Sequence, residues 1–235
     1  VDANEGARVD EPLRVRRRTA VSRALPGAPV VSRGVWGGAV LAALLLGVLG
    51  VRYAGAEEAG GVDAAIWAAA YEPGPPWRGV ALATDFLGEP VGAAVLVVVT
   101  VAGCLLLRAP RAAVLAVLGA GLSVGVTKLL KPAVGRTIHD GHLAFPSGHT
   151  AFLTALALVV ALLAAGRLGT GRAAGTALVF GAALAAGAAM GWAQVALGAH
   201  YPTDAVGGWC AALVVVPTTA WLVDRVADAP RGPTR

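Results

Sequence analysis

Six stretches of this chain carry no Asp, Glu, Lys or Arg: residues 34–51, 90–107, 112–127, 143–166, 173–199 and 205–223. A helix needs about 20 apolar residues to cross the hydrocarbon of a bilayer, with a range of about 17–25. Five of the stretches are long enough as they stand. The third reaches the length by running through Lys128, whose ammonium then sits at the far interface. Composition agrees: the 235 residues are 57% hydrophobic and 14% charged, where a soluble domain carries about 25% charged residues. The sequence therefore predicts an all-α polytopic membrane protein, a six-transmembrane-helix bundle.

The ends of the chain read differently. Residues 1–33 are polar, with Pro26, Pro29 and the run Arg14, Arg16, Arg17 and Arg18, and no apolar period. They are expected to form a disordered, basic cytoplasmic tail. Residues 34–224 make the membrane domain and 225–235 a second cytoplasmic tail. A basic stretch, an apolar run and Ala54-Gly55-Ala56 also resemble a cleavable signal peptide. An 18-residue run is long for that purpose, and a retained first helix is expected.

Arginine placement predicts orientation. With the N-terminus in the cytoplasm, fourteen of the nineteen basic residues lie on the cytoplasmic side. Arg52, Arg78, Lys128, Lys131 and Arg136 lie opposite, a clear positive-inside bias. The net charge of +5 thus belongs to membrane orientation, and no nucleic-acid partner is expected. Cys104 and Cys210 lie inside apolar runs without metal spacing and read as small buried hydrophobes. Residues 56–89 form a first outer loop. Ile66, Trp67 and Tyr71 suggest a short helix in the membrane interface, broken by Glu72-Pro73-Gly74-Pro75-Pro76.

All four histidines, His139, His142, His149 and His200, fall on the outer side with Lys128, Lys131, Arg136, Asp140 and Asp204. They occupy two loops, 128–149 and 194–204, that join different helix pairs at one membrane face. Ionisable groups there are costly unless they serve a site, so the active site is placed at the extracytoplasmic face. Lys128, Lys131 and Arg136 offer three cations within nine residues, and phosphate favours such donors. Ser147 and Gly148 of Pro146-Ser147-Gly148-His149 put a hydroxyl and free N–H groups at a helix N-terminus, a ready anion site. His149 at its mouth suits a general acid. His200 and Asp204 stand four apart, so a helical turn brings them together. The carboxylate can hold one ring nitrogen and leave the other free to attack.

These motifs resemble the type-2 phosphatidic acid phosphatase family, which shares its site with vanadium haloperoxidases. The resemblance rests on Lys128 to Arg136, Pro146-Ser147-Gly148-His149 and His200-Tyr201-Pro202-Thr203-Asp204. It implies His200 as a nucleophile forming a phosphohistidine, Asp204 as its activator and His149 as the acid for the leaving group. It places Ser147, the Gly148 amide, Lys128 and Arg136 against the phosphate. Two positions depart from the family. Its first motif has six residues between Lys and Arg-Pro. Here seven separate Lys128 from Arg136, and Thr137 follows; Lys131 is the alternative lysine, with no arginine then in place. Its third motif begins Ser-Arg, and here those positions hold Ala193 and Gln194. Gln194 can donate hydrogen bonds to phosphate but adds no charge, and Lys131 is the natural substitute for the missing cation.

The expected function is hydrolysis of a lipid phosphate or polyprenyl (pyro)phosphate, with the bilayer and that lipid as partners. No cofactor and no metal is expected, because three cations repel a metal ion. A metal site built on the histidines and aspartates, and a transporter, are the less favoured readings. The missing arginine also fits a catalytically weakened lipid-phosphate-binding membrane protein.

Overall fold

The computed structural model describes residues 32–139 and 141–229. The tail expected over 1–33 lies outside the described residues except at its end, where the first helix begins. Helix α1 spans Arg33–Arg52, α2 Gly61–Ala70, α3 Pro75–Phe86, α4 Pro90–Leu106 and α5 Pro110–Val134. A two-stranded hairpin follows, β1 Thr137–Ile138 and β2 His142–Leu143. Helices α6 Gly148–Arg167, α7 Arg172–Ala196 and α8 Pro202–Asp228 complete the chain. The architecture is all-α and polytopic. Helices α1, α5, α6, α7 and α8 are each long and apolar enough to cross a membrane.

The second expected span is built differently. Helix α4 has 17 residues and meets α3 at a bend of 63°, the geometry of a broken span or a re-entrant loop. The described residues therefore hold five helices able to cross a membrane, or six spans if the bent pair crosses as one. Helix α3 was not foreseen. It restarts the chain at Pro75, where a proline at the first helical position loses no hydrogen bond. Its Ala81 packs against Ala193 and Ala196 at the end of α7. Two boundaries also move. Helix α5 continues beyond Lys128 through Lys131 and ends at Gly135, whose φ of 66° closes the helix left-handed. Helix α8 runs to Asp228, so the stretch expected as a tail from 225 begins as helix. There Asp224 and Asp228 pair with Arg111 at 3.3 and 2.6 Å.

Helix α6 is the centre of the bundle, packed between α5, α7 and α8, with α1 lying along α8. Leu41, Leu44 and Val48 of α1 and Val98 and Val99 of α4 stay exposed, as helices facing lipid require. At one end of the bundle the loops are tied together. Gly55 N donates to Val134 O at 2.8 Å, Thr137 N to Ala56 O at 3.0 Å and Glu72 N to Ala196 O at 3.1 Å. At the other end Arg167 donates to the carbonyl of Leu107. The expected histidine and lysine cluster lies at the first of these ends.

Candidate active site

The first turn of α8 builds the centre of the site. Pro202 occupies the first turn, where its missing N–H costs nothing. Asp204 is fully buried; its Oδ2 accepts from Tyr201 N at 2.8 Å and faces His200 Nδ1 at 3.6 Å. That separation is an ion-pair contact that needs about half an ångström of closure to become a hydrogen bond. His200 is 7% exposed, and Nδ1 lacks a hydrogen-bond partner among the described residues. Burial pushes the His200 imidazole below its ordinary pKa. The Asp204 carboxylate opposes that shift, and Lys131 and His149 add to it.

The Pro146-Ser147-Gly148-His149 segment is held against α8. Ser147 N donates to Asp204 O at 2.9 Å. Gly207 and Gly208 make the approach possible: a Cβ on Gly208 would meet Ser147 O at 2.2 Å, and one on Gly207 would meet the Phe145 ring at 2.6 Å. Ser147 caps α6, its Oγ accepting from Thr150 N at 3.4 Å, so the N-terminus of α6 opens beside His200 and Asp204. His149, half-buried, follows in the first turn.

The two lysines separate. Lys131 donates to Leu143 O at 2.7 Å and is close enough to act on His200. Lys128 is exposed and has no polar partner among the described residues. Lys131 is the lysine brought to the site.

Arg136, expected on the phosphate, is held by protein partners. It is fully buried and its guanidinium is already engaged. Nη1 donates to Thr203 Oγ1 at 2.6 Å and to Asp204 Oδ1 at 2.7 Å, and Nη2 donates to Asp63 Oδ2 at 2.6 Å. The plane lies between two rings, 4.0 Å from the Tyr53 centroid and 4.5 Å from that of Tyr201. Two buried carboxylates draw this arginine away from any open surface. Gln194, also expected on the phosphate, donates instead to Asp85 Oδ1 at 2.5 Å. His139 rests edge-on against Trp67 at 5.9 Å and His142 is exposed in β2. Neither joins His200. Asp140 lies outside the described residues.

Three acids escaped the sequence reading. Asp63 is a lone acid in the otherwise apolar α2, a signal visible in GVDAAIWAAA. Asp85 and Glu89 flank the elbow between α3 and α4 and face His149 Nε2 at 3.8 and 3.5 Å. Asp85, Glu89 and His149 are also the described residues whose ligand atoms come together, within 4.8 Å, as a metal ion would need. The His200–Asp204 pair that suggested a metal by its spacing is not among them. Beside the first turn of α8 an apolar cavity of about 500 Å³ opens between α2, α7 and α8. Ile66, Trp192, Pro202, Ala205 and Trp209 line it.

The fold and the site together define a polytopic membrane protein with a histidine–aspartate pair and a helix N-terminus at one end of its bundle. The sequence model of the PAP2 superfamily matches residues 112–227, and the chain belongs to that family. The fold is similar to that of a transmembrane PAP2-type phosphatidylglycerolphosphate phosphatase from Bacillus subtilis. The two share 24% identity with a TM-score of 0.62, over 83% of this chain and 98% of that one. No curated protein matches the chain.

Proposed function

We propose that this protein is a membrane lipid phosphatase that works through a phosphohistidine on His200. The observation that carries the reading is the buried contact between His200 Nδ1 and Asp204 Oδ2 at 3.6 Å. With Nδ1 facing the carboxylate, Nε2 is the nitrogen left for attack. In the first step Nε2 attacks phosphorus, the P–O bond to the lipid breaks, and His149 gives its proton to the leaving oxygen. In the second step His149 takes a proton from water as that water attacks phosphorus. The N–P bond breaks and inorganic phosphate leaves. Lys131, the Ser147 hydroxyl and the Gly148 N–H hold the phosphoryl oxygens. Asp204 keeps His200 in the attacking tautomer.

The apolar cavity beside Pro202 and Ala205 supports a lipid substrate, since a chain in it leaves its headgroup next to His200. The substrate is a lipid phosphate monoester or a polyprenyl (pyro)phosphate. The site faces the extracytoplasmic side of the cell membrane, as arginine placement requires. A second reading has one specific support. With Arg136 paired to two acids and Gln194 tied to Asp85, Lys131 is the close cation. That suits a protein that binds lipid phosphate with weakened catalysis.

The test is phosphate release by purified protein in detergent from phosphatidate, phosphatidylglycerolphosphate and polyprenyl pyrophosphate, with and without a chelator. Release unaffected by the chelator, with an acid-labile phosphoenzyme trapped by rapid quench, supports the reading. Saturable binding without turnover supports the second. For orientation, Ala199→Cys and His142→Cys should react with an impermeant thiol reagent in intact cells. Reaction only after lysis reverses the topology.

A further inference from the structure

Asp63 is the one acid of α2 and is wholly buried, in a segment otherwise largely exposed. Its carboxylate is fully used. Oδ2 accepts from Arg136 Nη2 at 2.6 Å and from Thr203 Oγ1 at 2.9 Å, and Oδ1 accepts from Thr203 N at 2.9 Å. The first pair spans 73 positions of sequence and the second 140. Arg136 passes the connection on to Asp204 Oδ1 at 2.7 Å, and Asp204 faces His200. One cation is therefore shared by two carboxylates, of which only one touches the histidine.

We propose that Asp63 is a positioning residue for His200, acting through Arg136 and Asp204. The inference rests on His200 being the nucleophile. The geometry gives Asp63 two tasks. Through Thr203 N and Oγ1 it fixes the first turn of α8, and so sets where Asp204 stands relative to His200. Through Arg136 Nη2 it takes part of the guanidinium charge, and so leaves Asp204 with negative charge for the imidazole. That charge is needed when the N–P bond forms and the ring becomes cationic. The groups acting on His200 are Lys131 from α5, His149 from α6 and Asp204 from α8. The backbone N of His200 is bound by Gln194 O of α7 at 3.3 Å. Asp63 and Arg136 stand behind Asp204.

The sign follows. A carboxylate beside His200 favours its protonated form. Asp63→Asn hands the whole Arg136 charge to Asp204 and weakens that support. The acid limb of the pH profile should then move to lower pH. The kcat should fall about tenfold or more, as loss of a charge-assisted contact does, with KM within about twofold of wild type. Asp63→Asn/Arg136→Met removes one acid together with the shared cation, so it leaves one buried carboxylate without its cation where Arg136→Ala leaves two, and Asp204 keeps its bond from Tyr201 N. It leaves Asp204 unshared, so its acid limb should move upward.

The experiment measures kcat, KM and pH profiles in detergent for wild type, Asp63→Asn, the double variant and His200→Ala. Opposite movements of the limb in the two Asp63 variants support the inference. If the single variant does not fold, the upward movement in the double variant carries the test. A limb that stays at its wild-type position in the folded variants overturns it, and a lowered folded fraction alone would leave the limb in place. His200→Ala separates the two levels. Near-normal turnover in it sinks the nucleophile reading, whereas a dead His200→Ala beside an unmoved limb sinks only the role of Asp63.

Discussion

The side-chain amide of Gln194 donates to Asp85 Oδ1 at 2.5 Å and so ties the end of α7 to the elbow between α3 and α4. Sequence motifs put Gln194 where a phosphate-binding arginine would stand. In the structure it faces an acid. Asp85 and Glu89 face His149 in turn, so this corner of the site carries negative charge. In the proposed function the phosphate is held by Lys131 and by the N–H groups at the start of α6, not by Gln194.

That asymmetry predicts how the lysines divide. Lys131→Ala should lower kcat/KM about 10- to 100-fold, the effect of losing one hydrogen bond to a charged group. Lys128→Ala, altering an exposed side chain, should change it less than about threefold. Gln194→Arg should not restore activity to Lys131→Ala, because the new guanidinium meets Asp85 before phosphate. Steady-state kinetics on a short-chain soluble substrate checks all three. Equal effects at the two lysines would contradict the placement.

Arg136 should behave as a structural group rather than a ligand. Arg136→Ala leaves Asp63 and Asp204 buried without their shared cation, a loss of about 3–5 kcal/mol. Thermal unfolding in detergent should show a large drop in Tm for Arg136→Ala and little change for Lys131→Ala. A stable Arg136→Ala protein with only a raised KM would return Arg136 to the phosphate.

Burial holds the His200 imidazole below its ordinary pKa, and the nucleophile must be neutral to attack. The acid limb of kcat/KM should therefore lie below the ordinary histidine value of about 6.5. Activity is present above that limb and lost as pH falls through it. Asp204→Asn removes the carboxylate that opposes the shift, so the limb should move lower still while kcat falls. An acid limb above the ordinary value in wild type would show that another group is being titrated.

Gly88 lies against His149, the proposed general acid. A Cβ there would meet His149 Cδ2 at 2.2 Å and Cβ at 3.1 Å, whereas a Cβ on Gly79 of α3 meets nothing within 4 Å. Gly88→Ala should push the imidazole aside and lower kcat by about 10- to 100-fold, since small misplacements at a reacting group are costly. Gly79→Ala should be silent. Matching activities for the two variants would remove His149 from its role.

Much of this was legible in the sequence because it is written locally. Charge-free runs marked the long helices, and i,i+4 spacing joined His200 to Asp204. What the sequence does not carry concerns contacts made at a distance. Nothing near Arg136 says that Asp63 lies against it, so its position in a basic motif suggested phosphate. Helix α3 was hidden because Pro75 and Pro76 read equally as a break and as a helix start. The choice between Lys128 and Lys131 depended on how far α5 continues, and propensity could not tell that through Pro132.

The shared cation also orders the assembly of the protein. Asp63 is synthesised 73 residues before Arg136 and 140 before Thr203. Until both arrive, its carboxylate has only water, and burying it alone would be costly. Burial of α2 at this point is therefore favourable only with the Arg136 segment and the first turn of α8 in place beside it. One buried carboxylate thus makes three segments, at residues 63, 136 and 203, depend on one another.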